Sequence, residues 1–187
     1  MIAGPSGVGK GTVIQQVLER LPRLRLSVSA TTRPPRPNEQ DGVDYLFVSD
    51  DEFASLARTG GLLEWAEVFG HRYGTPLREV ERALDAGHDL VLEIDVQGAH
   101  QVRERMPSAM LILIVPPSME ELERRLRSRA TEDEDDVARR LEKVSWELQQ
   151  EPWFDHVVVN DDAGRATDEV VAILQGFPDT TEGRTHP

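Results

Sequence analysis

A chain of 187 residues has room for one domain with a full core and too little for two large ones, and its 34 acidic against 21 basic residues give a net charge of −13. That balance opposes adhesion to nucleic acid or an anionic membrane, so a site for a polyanion must be a local cluster. No cysteine, five histidines at no paired ligand spacing, no apolar run near ~20 residues and no signal-peptide pattern at Met1 to Pro5 exclude a disulfide scaffold and structural zinc, and predict a cytoplasmic protein.

In chain order, only Met1-Ile2-Ala3 precedes a glycine-rich loop, Gly4 to Gly9, where a buried strand of about five residues is expected. The strand is either very short or begins before residue 1. Ile14, Val17, Leu18 and Leu21 share one face and Pro22 ends the pattern, which predicts a helix over 10–21. Leu26, Val28 and Ala30 alternate with serines as in a half-buried strand, after which the proline-rich run Thr32 to Asn38 cannot be regular structure. A strand at Tyr45 to Val48 leads to a capping box, Ser49 with Glu52, and a helix through Phe53, Leu56 and Ala57 that stops at Gly60-Gly61. Thr75-Pro76 opens another helix, closed at Gly87.

Leu90 to Val96 and Ala109 to Val115 are dense in Val, Ile and Leu, as strands covered on both faces are, and a helical pattern follows each. Ser118 with Glu121 signals the start of the second of these helices. It passes from Met119 into an Arg-rich, then acidic stretch at 124–136, before Val137, Leu141, Val144 and Leu148 resume a helical face. Val157 to Val159 reads as the last strand and the residues around Val170 to Leu174 as a closing helix. The alternation predicts an α/β fold with a parallel, doubly wound sheet, and the strand-rich segment 32–75 reads as an insertion over its C-terminal edge.

Gly4-Pro5-Ser6-Gly7-Val8-Gly9-Lys10-Gly11-Thr12 fits G-x-x-x-x-G-K opening a helix. Glycines let successive N–H groups converge on phosphates, the helix N-terminus adds partial positive charge, and Lys10 reaches the β and γ phosphates. The chain has nineteen arginines and only two lysines. A lysine at this position is selective, because a compact ammonium fits between phosphates where a guanidinium does not. Gly11 stands where the common motif has a Ser or Thr ligand for Mg²⁺. That leaves the metal to the transferred phosphates and water, with Thr12 second in line and Glu93 able to orient a metal-bound water.

Together with this loop, Ser27 to Arg36, Asp44-Tyr45, Leu63 to Glu67, Tyr73-Gly74-Thr75, Glu93 to Gly98, Arg125 to Glu132 and Val159 to Asp162 resemble guanylate kinase, over residues 4 to about 175. The resemblance implies a P-loop nucleoside monophosphate kinase fold as one domain over 1–175. Its core would be 1–31 and 76–175, with a GMP-binding insertion at 32–75, a helical lid at 124–140 and a loose tail at 176–187. It implies ATP + GMP → ADP + GDP with Mg²⁺, and substrates rather than macromolecules as partners of a monomer or homodimer. Carried over by position, the ATP side is residues 4–12 with Asn160 near the adenine, and the charge clamp is Lys10, Arg125, Arg129 and Arg140. The GMP phosphate falls to Arg33, Arg36, Tyr45 and Tyr73, and the guanine to Glu64 and Asp95, with Ser29 at its carbonyl oxygen and Thr75 nearby.

The chemistry agrees with the resemblance: forked guanidinium donors suit a phosphate dianion, and a carboxylate answers the N1–H and 2-amino donors that adenine lacks. Read without the resemblance, Arg33 and Arg36 fit a solvated turn equally well and Glu64 an exposed strand carboxylate. Ala130 and Asn38 depart from the glycines usual at these places in the family, which bears on lid mobility. Another phosphorylated acceptor, or a non-catalytic phosphopeptide-binding module on the same fold, are the alternatives. Lys10 and the lid arginines weigh against the module.

Overall fold

The structure is a computed structural model that describes residues 1–68, 70–128 and 134–176. The chain begins β1 (Ile2–Ala3), α1 (Lys10–Arg20), β2 (Leu24–Leu26), β3 (Ala30–Thr31), β4 (Leu46–Phe47) and α2 (Asp50–Arg58). It continues with β5 (Leu62–Val68), β6 (His71–Pro76), α3 (Leu77–Asp85), β7 (Asp89–Val91) and α4 (Val96–Arg105). Then come β8 (Ile112–Val115), α5 (Met119–Ser128), α6 (Glu134–Leu148), β9 (His156–Val159) and α7 (Ala163–Gly176).

All pairings in the core sheet are parallel. β1 pairs with β8 and β8 with β9, β2 pairs with β7, and a bridge from Ile2 to Glu93 joins these ladders into the order β2-β7-β1-β8-β9. Short as it is, β1 is fixed from both sides: Ile2 N–H donates to Leu92 O at 2.9 Å and Ile112 N–H to Met1 O at 3.0 Å. Successive residues serve opposite faces, as the strand period requires. Ile2, Ile112 and Ile114 pack with Val13, Ile14, Val17, Ala166 and Val170 from α1 and α7. Ala3, Leu111 and Leu113 pack with Val80, Val96, Ala99 and Val102 from α3 and α4. At about 1.5–3 kcal/mol for each buried Val, Leu or Ile, these two apolar layers hold the loop's root rigid.

The insertion is a mixed sheet in the order β4-β3-β6-β5, with α2 against it through Phe53, which meets Ala30 and Leu62. The capping box forms as read: Glu52 N–H donates to Ser49 Oγ at 3.2 Å and Ser49 N–H to Glu52 Oε2 at 2.8 Å. α5 and α6 pair through Leu122, Leu126 and Val144.

Several expected boundaries move. The strand read over 26–30 is two pieces: the chain makes its last contact with the core sheet at Ser27, whose N–H donates to Val91 O, and enters the insertion sheet at Ala30. Leu24 is therefore buried while Leu26 is 42% exposed, the reverse of the burial expected of Leu26. The strand read over 90–96 ends at Val91 apart from the bridge at Glu93, because Asp95 already caps α4. That read over 109–115 begins at Ile112, and of the strand at 45–48 Leu46–Phe47 join the insertion sheet while Tyr45 bridges to Asp41. The hairpin of β5 and β6, for which the sequence suggested no separate elements, carries much of the site. Arg129, Ala130, the first acidic residues before α6 and the tail beyond Gly176 lie outside the described residues.

Candidate active site

The loop between β1 and α1 is built by backbone that side chains would obstruct. Gly4 has φ +148° and a Cβ there would lie 2.3 Å from Ile114 O; Gly9, the N-cap of α1, has φ +94° and a Cβ there would lie 2.6 Å from Asn160 Nδ2. Gly4 and Ser6 line a cavity; Pro5 and Val8 are buried behind them, and Gly7 takes φ +84° between. Lys10, first residue of α1, lines the cavity and donates to Gly4 O at 2.6 Å and Pro5 O at 3.3 Å. Burial pulls its ammonium below the ordinary lysine range, against the opposing pull of Glu93. Gly11 and Thr12 are exposed, and neither is among the cavity's lining residues.

Asn160 is a loop-positioning residue. It is 4% exposed and donates from Nδ2 to Val8 O at 2.7 Å. Arg125, reaching from α5, donates to the same carbonyl at 3.3 Å and to Asn160 O at 3.2 Å, while Glu121 accepts from its Nε at 2.8 Å. Arg124 and Arg127 form exposed ion pairs on the helix surface.

Across the cavity stands the insertion. A bulge in β5 between Leu62 and Glu64 breaks the alternation, so that Leu62, Leu63 and Glu64 are buried in succession and Glu64 points into the cleft. Glu64 is 4% exposed, not the exposed strand carboxylate that its isolation in sequence allowed. Thr75, fully buried opposite it in β6, donates to Glu64 Oε1 at 2.6 Å. Burial raises the Glu64 carboxyl to about 7, with the nearby Asp95 charge adding to the rise and the Thr75 bond opposing it. Asp95 faces the same cavity and accepts from Gly98 N–H at 2.9 Å as the cap of α4. Ser29, Tyr45, Tyr73 and Glu93 complete that wall.

Arg33 lies behind the tyrosines, donating from Nε to Tyr73 OH at 3.2 Å with its guanidinium 5.5 Å from the Tyr45 ring centre. Arg36 is largely exposed, outside the cavity lining. A carboxylate that sequence reasoning missed ties the two together: Glu39 accepts from Arg33 Nη2 at 2.8 and 2.9 Å and from Arg36 N–H at 2.8 Å. Those bonds, Arg36 N–H first, hold Glu39 below the usual carboxylate range. Arg33, Arg36 and Glu39 recur at intervals of three, a signal open to reading within the turn.

The α6 wall holds a second omission. Arg140 lines the cavity, and so do Lys143, Val144 and Glu147, at the 3, 4 and 7 spacing of one helix face. Lys143 donates to Asp95 Oδ2 at 3.4 Å and lies 3.8 Å from the buried Glu147, whose carboxyl burial raises. The rarity of lysine, which marked Lys10, marks Lys143 equally: both lysines of the chain line one cavity.

Among the described residues no group of three or more His, Cys, Asp or Glu is arranged to hold a metal. One carboxylate, Glu93, stands at the junction of loop and cavity, 4.0 Å from where a Gly11 Cβ would be. That donor set fits a hard divalent ion that arrives on phosphates and keeps much of its water. Also among the described residues, no helix is long and apolar enough to cross a membrane.

A phosphate loop at the end of a parallel strand, facing a small insertion sheet with arginines behind and carboxylates within, defines a P-loop nucleoside monophosphate kinase. A family model described as guanylate kinase matches residues 1–176. Guanylate kinase of Thermosynechococcus vestitus is 54% identical over 162 residues, covering 87% of this chain and 85% of that protein. That of Thermus thermophilus is 52% identical over 174 residues, covering 93% and 79%. The crystal structure of guanylate kinase from Anaplasma phagocytophilum superposes with a TM-score of 0.76 at 37% identity, covering 94% of this chain and 84% of that one. The chain belongs to the guanylate kinase family.

Proposed function

We propose that this enzyme transfers the γ-phosphoryl group of ATP to GMP, giving ADP and GDP, in the cytoplasm. The observation that carries the reading is one cavity lined by Lys10, by the buried Glu64 and by Asp95. An oxygen of the GMP phosphate attacks the γ phosphorus while the bond to the bridging oxygen of ADP breaks. The attacking oxygen is already deprotonated near neutral pH, so no general base is needed.

The loop N–H groups and the α1 terminus hold the donor phosphates, and Lys10 exchanges its two carbonyl partners for them. Asn160 and Arg125 keep the loop in shape, and Arg125 and Arg140, with Arg129, balance charge on the group in flight. Arg33 and Arg36 with Tyr45 and Tyr73 take the acceptor phosphate, and Glu39 holds Arg33 ready for it. Glu64, kept in place by Thr75, and Asp95 accept from the guanine edge, while Ser29 meets its carbonyl oxygen. Adenine leaves the same buried acceptors unanswered, at about 1.5–3 kcal/mol for each charged hydrogen bond. Mg²⁺ bound with ATP supplies neutralisation of the β and γ phosphates, and Glu93, with Thr12 in second place, would hold its water.

ADP production from Mg-ATP with GMP, AMP, UMP and CMP in turn tests this reading. GMP turns over and the others do not, and Lys10→Ala lowers the GMP rate at least about 10²-fold. Equal turnover of AMP, or an unchanged rate in Lys10→Ala, would overturn it.

A further inference from the structure

We infer that Gly98, which has no side chain to offer a substrate, is a specificity-determining position of this enzyme, because its bare Cα lets the two base-facing carboxylates converge. The inference rests on the reading that Glu64 and Asp95 receive guanine.

Gly98 is the third residue of α4 and is buried. A Cβ built on it would lie 2.3 Å from Glu64 Oε2 and 3.1 Å from Glu64 Cδ. The same residue donates its N–H to Asp95 Oδ1 at 2.9 Å. One carboxylate is thus hydrogen-bonded by Gly98 and the other lies flat against it. The far oxygen of Glu64 is held by Thr75 at 2.6 Å, so a group that displaces the carboxylate also disturbs that bond.

Backbone conformation gives no reason for glycine here. Gly98 is not among the glycines at positive φ, and it sits inside a helix, where glycine is the poorest choice except for proline. Among the described residues, the glycines at positive φ outside the phosphate loop, Gly42, Gly60, Gly70 and Gly87, have nothing within 4 Å of an added Cβ, whereas Gly98 has the Glu64 carboxylate. The nearest atoms that an added Cβ would meet all belong to the Glu64 side chain. Because that carboxylate is the end of a flexible side chain, an added methyl group displaces it without breaking the core. The helix gains a better former and the site loses the alignment of Glu64 with Thr75 and Asp95.

Gly98→Ala is then expected to separate two properties that core substitutions usually damage together. Its melting temperature stays the same or rises. The kcat/KM for GMP falls at least about 10-fold, chiefly through KM, the KM for ATP stays within about twofold, and the preference for GMP over IMP, which lacks the 2-amino group, shrinks. Placing Gly98→Ala in a Glu64→Ala background supplies the control. With the obstructing carboxylate gone, the glycine substitution changes kcat/KM by less than about twofold. If Glu64→Ala leaves the KM for GMP unchanged, the guanine reading itself fails. If Glu64→Ala raises that KM while Gly98→Ala behaves as wild type, costs the same in both backgrounds, or lowers the melting temperature by several degrees, the inference about Gly98 is overturned and the guanine reading stands.

Discussion

Ionising a carboxylate that is nearly sealed from water costs free energy, and for Glu64 the hydroxyl and backbone N–H of Thr75 offset only part of that cost. Its carboxyl is raised from the ordinary 4.5 to about 7. Below pH 4.5 the folded and unfolded chains both hold this proton, and its contribution to stability is fully present. Between 4.5 and 7 the unfolded chain releases the proton first, so stability falls as pH rises, by roughly 3 kcal/mol when the loss is complete. Glu64→Gln lacks this dependence, so the melting temperature of the variant should gain on that of wild type between pH 5 and 7.5. A constant difference would contradict the assignment. In the proposed role Glu64 receives guanine in its ionised form, so the KM for GMP should fall as pH is raised from 6 to 8. The nucleotide phosphate also titrates near 6; comparison with Glu64→Gln subtracts that contribution. At this scale Glu64 was legible only through resemblance, because a lone glutamate carries no mark of burial in a sequence. Lys143 was legible from the rarity of lysine and Glu39 from its spacing to Arg33 and Arg36.

The loop element depends on distant elements for its shape. Val8 O receives Asn160 from beyond β9 and Arg125 from α5, which binds three segments at one carbonyl. Asn160→Ala removes one buried hydrogen bond, worth about 1–3 kcal/mol, and leaves the insertion untouched. Steady-state kinetics should therefore show the KM for ATP raised about 10-fold with the KM for GMP within about twofold. A matched rise in both would mean that Asn160 supports the whole fold rather than the loop. Elements marked by local chemistry were legible: the Ser49–Glu52 box, the Pro22 stop and the Gly87 close all lie where side-chain and turn preferences put them. Elements set by pairing were not. The β5 bulge that turns Glu64 inward and the crossing from β2 to β3 depend on partners over 10 residues away, which alternation cannot register.

At the scale of the molecule, a chain of net charge −13 binds two polyanionic nucleotides through local cations, and both of its lysines line the cleft. The doubly wound core was legible because buried parallel strands and amphipathic helices leave distinct patterns. The meeting of loop, insertion and α6 around one cavity was not, since no local pattern encodes how three layers face one another. A crystal structure with GMP and a non-hydrolysable ATP analogue tests that meeting most directly. The account predicts the guanine edge within ~2.7–3.2 Å of Glu64 and Asp95, and Lys10 Nζ moved from Gly4 O to the donor phosphates. GMP seated outside the cavity, or Lys10 still on Gly4 and Pro5 with both nucleotides bound, would contradict it.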